Sequence, residues 1–489
     1  MVFNSLVFLA FFCIVFALYW GLLSRFIWLR NLFLLVASYV FYGYWDWRFL
    51  FLIAFSSFVD YQVGRLLGCV EAIKWRKALL ATSIVTNIGL LGFFKYYNFF
   101  IESAQDVLSQ LGFAENAGSL NIILPVGISF YTFQALSYTI DVYRKKIPSC
   151  DSALDFFAYV SFFPQLVAGP IERASHLLPQ FKKRVEFNGT VGVDALLQIL
   201  WGFFKKVVVA DNAAIFVDAI FMDSANQSGG VLALGAVLFA IQIYGDFSGY
   251  SDIAIGVARL LGFDLMKNFA CPYFSRDIAE FWRRWHISLS TWFRDYVYIP
   301  IGGSHGGVIA RVRNVMVVFV LSGLWHGANW TFVFWGGLNA ILFLPLIVGR
   351  VHRSHLDTVA HGRWFPSFRE VYMMFTTFSI TCVCWVFFRA ETVSGAFSYL
   401  GNGITRVFEN PLVSFQQLPL SPSERTYDFI TLMGAIFVLI AIDWAQRDKA
   451  HGLSQLPFPL SVRLSTYCIL CLAVIEFFFG RGEFIYFQF

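Results

Sequence analysis

The chain has 489 residues, of which 58% are apolar or aromatic and only 14% are charged. A soluble globular protein needs about 25% charged residues to cover its surface, so this composition excludes that class, and it excludes a disordered chain as well. The net charge of +5 does not indicate nucleic-acid binding, because the basic residues lie in loops between apolar segments. We therefore predict a polytopic membrane protein.

The apolar segments predict an all-α transmembrane helical bundle. Strands of an outer-membrane barrel alternate apolar and polar residues over about ten positions, whereas this chain has long apolar runs such as 315–348. Within a bilayer each backbone N–H needs a partner in its own segment, which favours helices. We expect about 10–12 membrane segments. No linker divides the chain, so we predict one domain over 1–489 with a motif-bearing core at about 121–348.

Ten stretches approach the roughly twenty apolar residues that cross a bilayer. The predicted spans are 6–23, 31–45, 49–66, 78–100, 121–142, 194–221, 231–261, 371–388, 428–444 and 464–480. Two further apolar segments, 152–170 and 315–348, are interrupted by glycine and proline, which is typical of re-entrant or hairpin elements.

Lysine and arginine are frequent in the loops after the first, third and fifth spans and rare in the loops between them. Cytoplasmic loops carry the excess of positive charge. The pattern therefore predicts an N-terminus outside the cytoplasm, with the basic loops 171–193, 262–313 and 349–370 inside.

The predicted span 231–261 contains two carboxylates, Asp246 and Asp252. Such residues within a span are rare and usually face a cavity or a partner. Gly245 and Gly249 form a GxxxG pair, which lets a second helix approach closely. Two interpretations stay open for each aspartate: a functional role, and helix packing with the carboxyl neutral or hydrogen-bonded to a neighbour.

The segment 276–296 places aromatic and aliphatic residues at three- and four-residue steps, and Ile287 departs from the pattern. This periodicity predicts one amphipathic helix that lies in the cytoplasmic interface. His286 lies at the edge of the apolar face, either in a pocket or as an interfacial residue without chemistry. Arg283 and Arg284 lie away from that face and would attract an anionic, phosphate-bearing donor or lipid head groups.

The stretch 314–349 contains no Asp, Glu, Lys or Arg, and His326 is its one readily titratable side chain. Apolar surroundings keep an imidazole neutral, as a general base must be, although a lone histidine on an apolar face also occurs as a packing residue. We expect Gly323 and Gly327 to leave room for a substrate beside it. The neighbours expected to supply apolar walls and hydrogen bonds are Trp325, Asn329 and Trp330.

The remaining sequence patterns give less information about function. The sequence has no P-loop, no nucleotide GxGxxG and no GxSxG elbow. Three histidines, His352, His355 and His361, lie in a basic loop that we interpret as solvated rather than as a metal site. The glycine-rich stretch 302–307 predicts a flexible turn.

Five motifs follow one another along the chain: 163–173 (FPQLVAGPIER), 246–256 (DFSGYSDIAIG), 274–286 (FSRDIAEFWRRWH), 292–300 (WFRDYVYIP) and 322–327 (SGLWHG). In this order they resemble the motifs of the membrane-bound O-acyltransferase superfamily. Together with the terminal residues 484–489 (FIYFQF), they resemble its bacterial alginate O-acetyltransferase branch.

The resemblance implies acyl transfer across a bacterial inner membrane, which would place the N-terminus in the periplasm. The implied donor is cytoplasmic acetyl-CoA, with no bound cofactor. The implied acceptor is a hydroxyl of a periplasmic partner protein or of an exopolysaccharide of the alginate or cellulose type. His326 matches the family's catalytic histidine, and His286 matches its second functional position. Asn339 stands where many relatives carry a further histidine, so the resemblance supplies no third one.

The hypothesis that follows is an enzyme whose helices surround a central funnel narrowing near His326. Acetyl-CoA would bind beside Arg283 and Arg284, and His326 would act as a general base or through a covalent acyl-histidine. Trp325, Asn329 and Asp246 would support the site.

Two alternatives remain. A proton-coupled transporter of a polysaccharide precursor would use Asp246, Asp252 and His326 as a proton relay. An acyltransferase of the same family with a lipid or another acceptor would differ only in its product.

Overall fold

The computed structural model describes residues 1–112 and 118–478, which contain helices and no strand. This confirms the predicted all-α class. Contacts divide the chain into two compact units, Met1–Gly192 with Val257–Met266 and Val193–Gly256 with Lys267–Phe489. The single domain over 1–489 stays a prediction, and the terminal motif 484–489 lies outside the described residues.

The first unit is built mainly from long apolar helices followed by short ones. They are α1 (Leu6–Leu18), α2 (Ile27–Asp46), α3 (Leu50–Cys69), α4 (Ile73–Leu91), α5 (Tyr97–Gln110), α6 (Ile128–Tyr143), α7 (Ala153–Ser161), α8 (Phe163–Leu166) and α9 (Ala174–Phe181). Arg30 in α2 is buried and donates to the carbonyl oxygens of Phe181 and Lys183 at 2.6 and 2.7 Å. It therefore anchors α2 to the end of α9. In the sequence, the same arginine lies in the basic stretch between the first two predicted spans.

The second unit carries most of the motifs. Its helices are α10 (Gly189–Phe203), α11 (Asp211–Met222), α12 (Gly229–Leu260), α13 (Ile278–Arg284), α14 (Ile287–Phe293), α15 (Gly307–His326), α16 (Trp330–Val348), α17 (Phe368–Arg389), α18 (Val393–Thr405), α19 (Pro411–Gln416), α20 (Phe429–Ala445) and α21 (Leu460–Phe477). A π-helical segment, Phe204–Ala210, joins α10 to α11.

Helix α12 lies against α10 and the π-helical segment, and its glycines make this possible. A Cβ atom on Gly245 would lie 2.8 Å from the carbonyl oxygen of Lys205, and one on Gly249 would lie 2.7 Å from that of Gly202. The close helix approach that the GxxxG pair predicts is therefore present. A side chain at either position would force the two backbones apart.

Two lysines of the π-helical segment neutralise the carboxylates of α12. Lys206 Nζ lies 2.8 Å from Asp246 Oδ1 and 2.6 Å from Asp211 Oδ1, and Lys205 Nζ lies 2.5 Å from Asp252 Oδ2. The two pairs with α12 carry no local sequence signal, because Lys206–Asp246 and Lys205–Asp252 join residues that are distant along the chain. They favour the helix-packing interpretation of the two aspartates.

Nine helices of the described residues are long and apolar enough to cross a membrane. They are Leu6–Leu23, Ile27–Cys69, Ile73–Gln110, Gly229–Leu260, Gly307–His326, Trp330–Val348, Phe368–Arg389, Glu424–Ala445 and Leu460–Phe477. Ile27–Cys69 contains two of the predicted spans. The predicted spans 121–142 and 194–221 are not among the nine; helix α6 has only 16 residues, and 194–221 contains two lysines and three aspartates.

Both segments predicted to be re-entrant or hairpin elements are interrupted. The segment 315–348 forms a helical hairpin, in which α15 and α16 are joined at 327–329. Each arm is long enough to cross a bilayer. The segment 152–170 contains α7 and α8, of nine and four residues, which are both too short to cross.

The prediction of one amphipathic helix over 276–296 is wrong. The structure contains two seven-residue helices, α13 and α14, separated at Trp285 and His286. Arg276 and Glu280, which the helical wheel places away from the apolar face, are buried and paired at 3.0 Å. Ile287 breaks the periodicity because it begins a new helix, so the misfit itself marked the interruption.

The ion pairs of Lys206 lead to a stability prediction. Lys206→Met leaves the carboxylates of Asp246 and Asp211 buried without their cation, so we expect a loss of about 3–5 kcal/mol in unfolding free energy. Thermal unfolding of the detergent-purified protein measures it. Lys183→Met, at an exposed position, is the control and should leave the midpoint unchanged. Equal midpoints for the two variants would contradict the prediction.

Candidate active site

The hairpin of α15 and α16 places His326 at its closed end. His326 is the last residue of α15, and Gly323, one turn earlier, packs against α16. A Cβ atom on Gly323 would collide with the carbonyl oxygen of Phe332, and one on Gly327 would collide with the Phe332 ring. The expectation that these glycines leave room for a substrate is therefore wrong, because α16 fills that space.

Aromatic rings surround the imidazole of His326, which is 4% exposed. Ring centroids of Trp325, Trp335 and Phe388 lie 5.0, 5.2 and 5.4 Å from its own, each nearly perpendicular to it. Trp335 belongs to α16 and Phe388 to α17, so three helices contribute to this enclosure. The sequence predicted Trp325 as a wall but not the other two, which come from distant positions.

His286 lies between α13 and α14 in the left-handed region, with φ of 44°. This backbone conformation is costly for a residue other than glycine and recurs at functional sites. The side chain is 1% exposed, which favours the buried pocket over the interfacial position for this histidine. Its Nδ1 lies 3.0 Å from Asn268 Oδ1. Burial lowers the pKa of His286, which is outside the nine candidate spans, to about 3, so the imidazole is neutral.

Trp325 connects the two histidines. Its ring centroid lies 6.0 Å from that of His286 and 5.0 Å from that of His326. The ring of His286 also packs nearly perpendicular to that of Phe247, at 4.6 Å between centroids. The structure thus brings His286 together with Trp325 and His326, which lie on a different motif, in one apolar and largely aromatic site.

Asp246 is one of the residues predicted to support the site. Its carboxylate pairs with Lys206 of the π-helical segment. Two buried ions of opposite sign satisfy each other in an apolar interior. We interpret Asp246 as a residue that fixes α12 against the π-helical segment.

The two predicted donor-binding arginines bind the protein itself. Arg283 donates to the carbonyl oxygens of His352 and His355 at 2.7 and 2.6 Å. Arg284 donates to Glu280 Oε1 at 3.0 Å and to the carbonyl oxygen of Asp357 at 2.9 Å. Both guanidinium groups therefore hold the loop 352–357 against α13.

Asn329 begins α16. Its Oδ1 accepts the N–H of Thr331 at 2.9 Å, and its Nδ2 donates to the carbonyl oxygen of Glu391 at 3.1 Å. Asparagine is a favoured N-cap because its side chain satisfies an otherwise unpaired N–H. Asn329 therefore supports the site through the backbone, because it fixes the turn that follows His326.

A cavity of about 240 Å³ is lined by α15 between Val315 and Ser322 and by the last turns of α16. Its wall includes Ser322, one helical turn before His326, together with aromatic rings of α15 and α16. Arg294, His352 and Arg353 lie at the same cavity. An apolar wall with cations beside it suits an amphipathic anion, and neither Arg294 nor Arg353 was a sequence candidate.

The chain was compared with known proteins. Residues 144–387 match the model of the membrane-bound O-acyltransferase family. The "Probable alginate O-acetylase AlgI" of Pseudomonas aeruginosa is 41% identical over 399 residues, which cover 81% of this chain and 73% of the relative. The protein of the same name from Azotobacter vinelandii is 41% identical, with 81% and 76% covered.

The chain belongs to the membrane-bound O-acyltransferase family. A "Peptidoglycan O-acetyltransferase" of Helicobacter pylori is a further relative, 34% identical over 76% of this chain and 73% of its own length. The protein is accordingly a multi-pass membrane enzyme that transfers acyl groups to oxygen. This membership excludes the transporter alternative, and the lysine pairs of Asp246 and Asp252 agree with its exclusion.

The hairpin of this acyltransferase permits a matched test. Gly323→Ala drives a Cβ atom into the backbone of α16, so we expect a loss of about 1–3 kcal/mol in stability and a fall in activity as His326 shifts. In Gly337→Ala, on α16, the added Cβ atom would have no neighbour within 4 Å among the described residues, so this variant is the control. Thermal unfolding and acyl-transfer assays measure both. A Gly323→Ala protein as stable and active as Gly337→Ala would refute the close packing.

Proposed function

We propose that this protein lies in the bacterial inner membrane, with a periplasmic N-terminus, and transfers an acetyl group from cytoplasmic acetyl-CoA to a periplasmic hydroxyl. The acceptor is a periplasmic partner protein or an exopolysaccharide of the alginate or cellulose type. The relatives named for alginate and peptidoglycan O-acetylation support a polysaccharide as the final product. The proposal rests on one observation. The two buried imidazoles, of His286 and His326, both contact Trp325 near the end of α15, the helix that lines the cavity.

The chemistry requires one base and one site for the thioester. His326 accepts the proton of the acceptor hydroxyl, and the oxygen attacks the acetyl carbonyl carbon. The new C–O bond forms, the C–S bond breaks, and the imidazolium returns its proton to the departing thiolate. General-base assistance of this kind contributes about 10²–10⁴ in rate. The aromatic enclosure excludes water, which would otherwise compete for the acetyl group.

The donor enters from the side where the basic loops lie. The phosphates of acetyl-CoA bind near Arg294 and Arg353, and the pantetheine arm follows the apolar wall towards Ser322. Arginine suits phosphate because its planar donors match the phosphate oxygens. In this arrangement Arg283 and Arg284 support the site indirectly, because they hold the loop that contains His352 and Arg353.

His326→Ala should abolish transfer, because the base is lost while the folded protein remains. Acetate content of the exported polysaccharide and acetyl-CoA cleavage by the purified protein measure this. His361→Ala, at an exposed histidine outside the site, is the control and should retain activity. Wild-type acetate content in the His326→Ala strain would exclude His326 as the base.

Loss of a cation beside the cavity should weaken donor binding. Arg294→Ala and Arg353→Ala are each expected to raise the KM for acetyl-CoA roughly threefold to tenfold, as partly screened charges do, with a smaller change in kcat. Arg350→Ala removes an exposed cation that does not line the cavity and controls for net charge. Three equal KM values would place the donor elsewhere.

A further inference from the structure

The two nitrogens of the His286 imidazole have different surroundings. Nδ1 lies 3.0 Å from Asn268 Oδ1, whereas Nε2 is buried and has no hydrogen-bond partner among the described residues. A neutral imidazole carries its proton on one nitrogen, and the hydrogen bond of the other ring atom selects which. The orientation of the Asn268 amide therefore determines what Nε2 can do.

The orientation of that amide follows from its other contacts. The backbone N–H of Ser288 lies 3.3 Å from Asn268 Oδ1. A backbone N–H can only donate, so the atom that faces it must be the amide oxygen. Because the same oxygen faces His286 Nδ1, that nitrogen must carry the proton. The Ser288 hydroxyl also donates to this oxygen, at 2.9 Å.

Asn268 is held firmly in this orientation. Its side-chain Nδ2 donates to the hydroxyl oxygen of Ser251 in α12 at 3.1 Å, and its backbone carbonyl oxygen accepts the N–H of Ile287 at 2.9 Å. Its side chain is 1% exposed. Flipping the amide would set its NH₂ group against the N–H of Ser288, so two donors would face each other and that hydrogen bond would be lost.

We propose that Asn268 is a positioning residue that keeps His286 in the Nδ1–H tautomer and thereby leaves Nε2 as a hydrogen-bond and proton acceptor. Among the described residues, the side chains that contact His286 are uncharged: Asn268, Phe247 from α12, Phe269 and Trp325 from α15. Desolvation is accordingly the cause of the lowered pKa of His286.

The inference rests on the proposed function for its catalytic consequence. In the resting enzyme His286 accepts a proton or a hydrogen bond at Nε2, and it can protonate a departing thiolate only after it has received a proton there. The sequence offered no sign of this role for Asn268, which lies 18 residues before His286 in an irregular segment.

The tautomer can be measured without any assay of activity. The full-length protein, labelled with ¹⁵N-histidine and placed in lipid nanodiscs, should give His286 nitrogen shifts of the neutral Nδ1–H form. His286→Gln assigns the signal, and the remaining histidines serve as internal references. An Nε2–H form of His286 in the unaltered protein would overturn the proposal.

Two substitutions of Asn268 test its effect. Asn268→Leu removes the acceptor, so the Nε2–H form of His286 should become populated. Asn268→Asp keeps the shape and places a carboxylate beside Nδ1–H, which raises the pKa of His286. Below that raised pKa a proton occupies Nε2, so the loss of acetyl-CoA cleavage at acidic pH should begin at a higher pH than in the unaltered protein. A wild-type tautomer and pH profile in both variants would overturn the proposal.

Ser251→Ala is the matched control. It removes the partner of Asn268 Nδ2 but leaves the N–H of Ser288, so the Nδ1–H form should persist. A tautomer change in Ser251→Ala as large as in Asn268→Leu would show that general loosening, and not the amide oxygen, controls His286. If His286→Gln retains full acetyl-CoA cleavage, His286 has no catalytic role, while the measured tautomer still decides the role of Asn268 and His326→Ala separately tests the proposed function.

Discussion

A polar group in an apolar interior needs a partner, and this requirement positions most of the charged residues inside this protein. An unpaired buried ion costs several kcal/mol, whereas a paired one ties two elements together. Lys206 holds Asp246 and Asp211, and Arg276 holds Glu280. Lys206 thereby fixes α12, whose Phe247 contacts His286, and Glu280 lies in α13, which ends just before that histidine. The surroundings of His286 therefore depend on residues that do no chemistry themselves.

Close backbone packing is the second constraint. Gly323 lets α15 approach α16 at the carbonyl group of Phe332, and this contact lies one turn from His326. His326 is therefore held at a closely packed turn between two helices. Trp335 and Phe388 then pack against it, which gives the neutral base a dry environment in which it can take a proton from an acceptor hydroxyl.

The histidines themselves could be predicted because their surroundings in sequence are unusual. His326 is the one titratable side chain of a long apolar stretch, and both histidines lie in motifs that resemble one family. Their partners could not be predicted in the same way. Asn268, Lys206 and Trp335 carry no local signal, since each contributes through a neighbour that is distant along the chain.

Errors in the sequence interpretation have the same origin. A helical wheel treats 276–296 as one continuous helix, but the structure interrupts it at His286, whose left-handed backbone is stabilised by tertiary contacts. Glycines near His326 look like free space in a sequence, although a second helix occupies that space. Arg283 and Arg284 look available to a ligand, but nearby carbonyl groups already bind them.

The sequence by itself determined the membrane class, the helical fold, the family and the two histidines, because hydrophobicity and short motifs are local properties of the chain. The tertiary structure decided which lysine neutralises which aspartate, which rings enclose His326, and which oxygen faces His286 Nδ1. Those features depend on distances between side chains from different helices. Only packing brings these groups within hydrogen-bonding range, and the cost of leaving them unpaired in an apolar interior keeps them there.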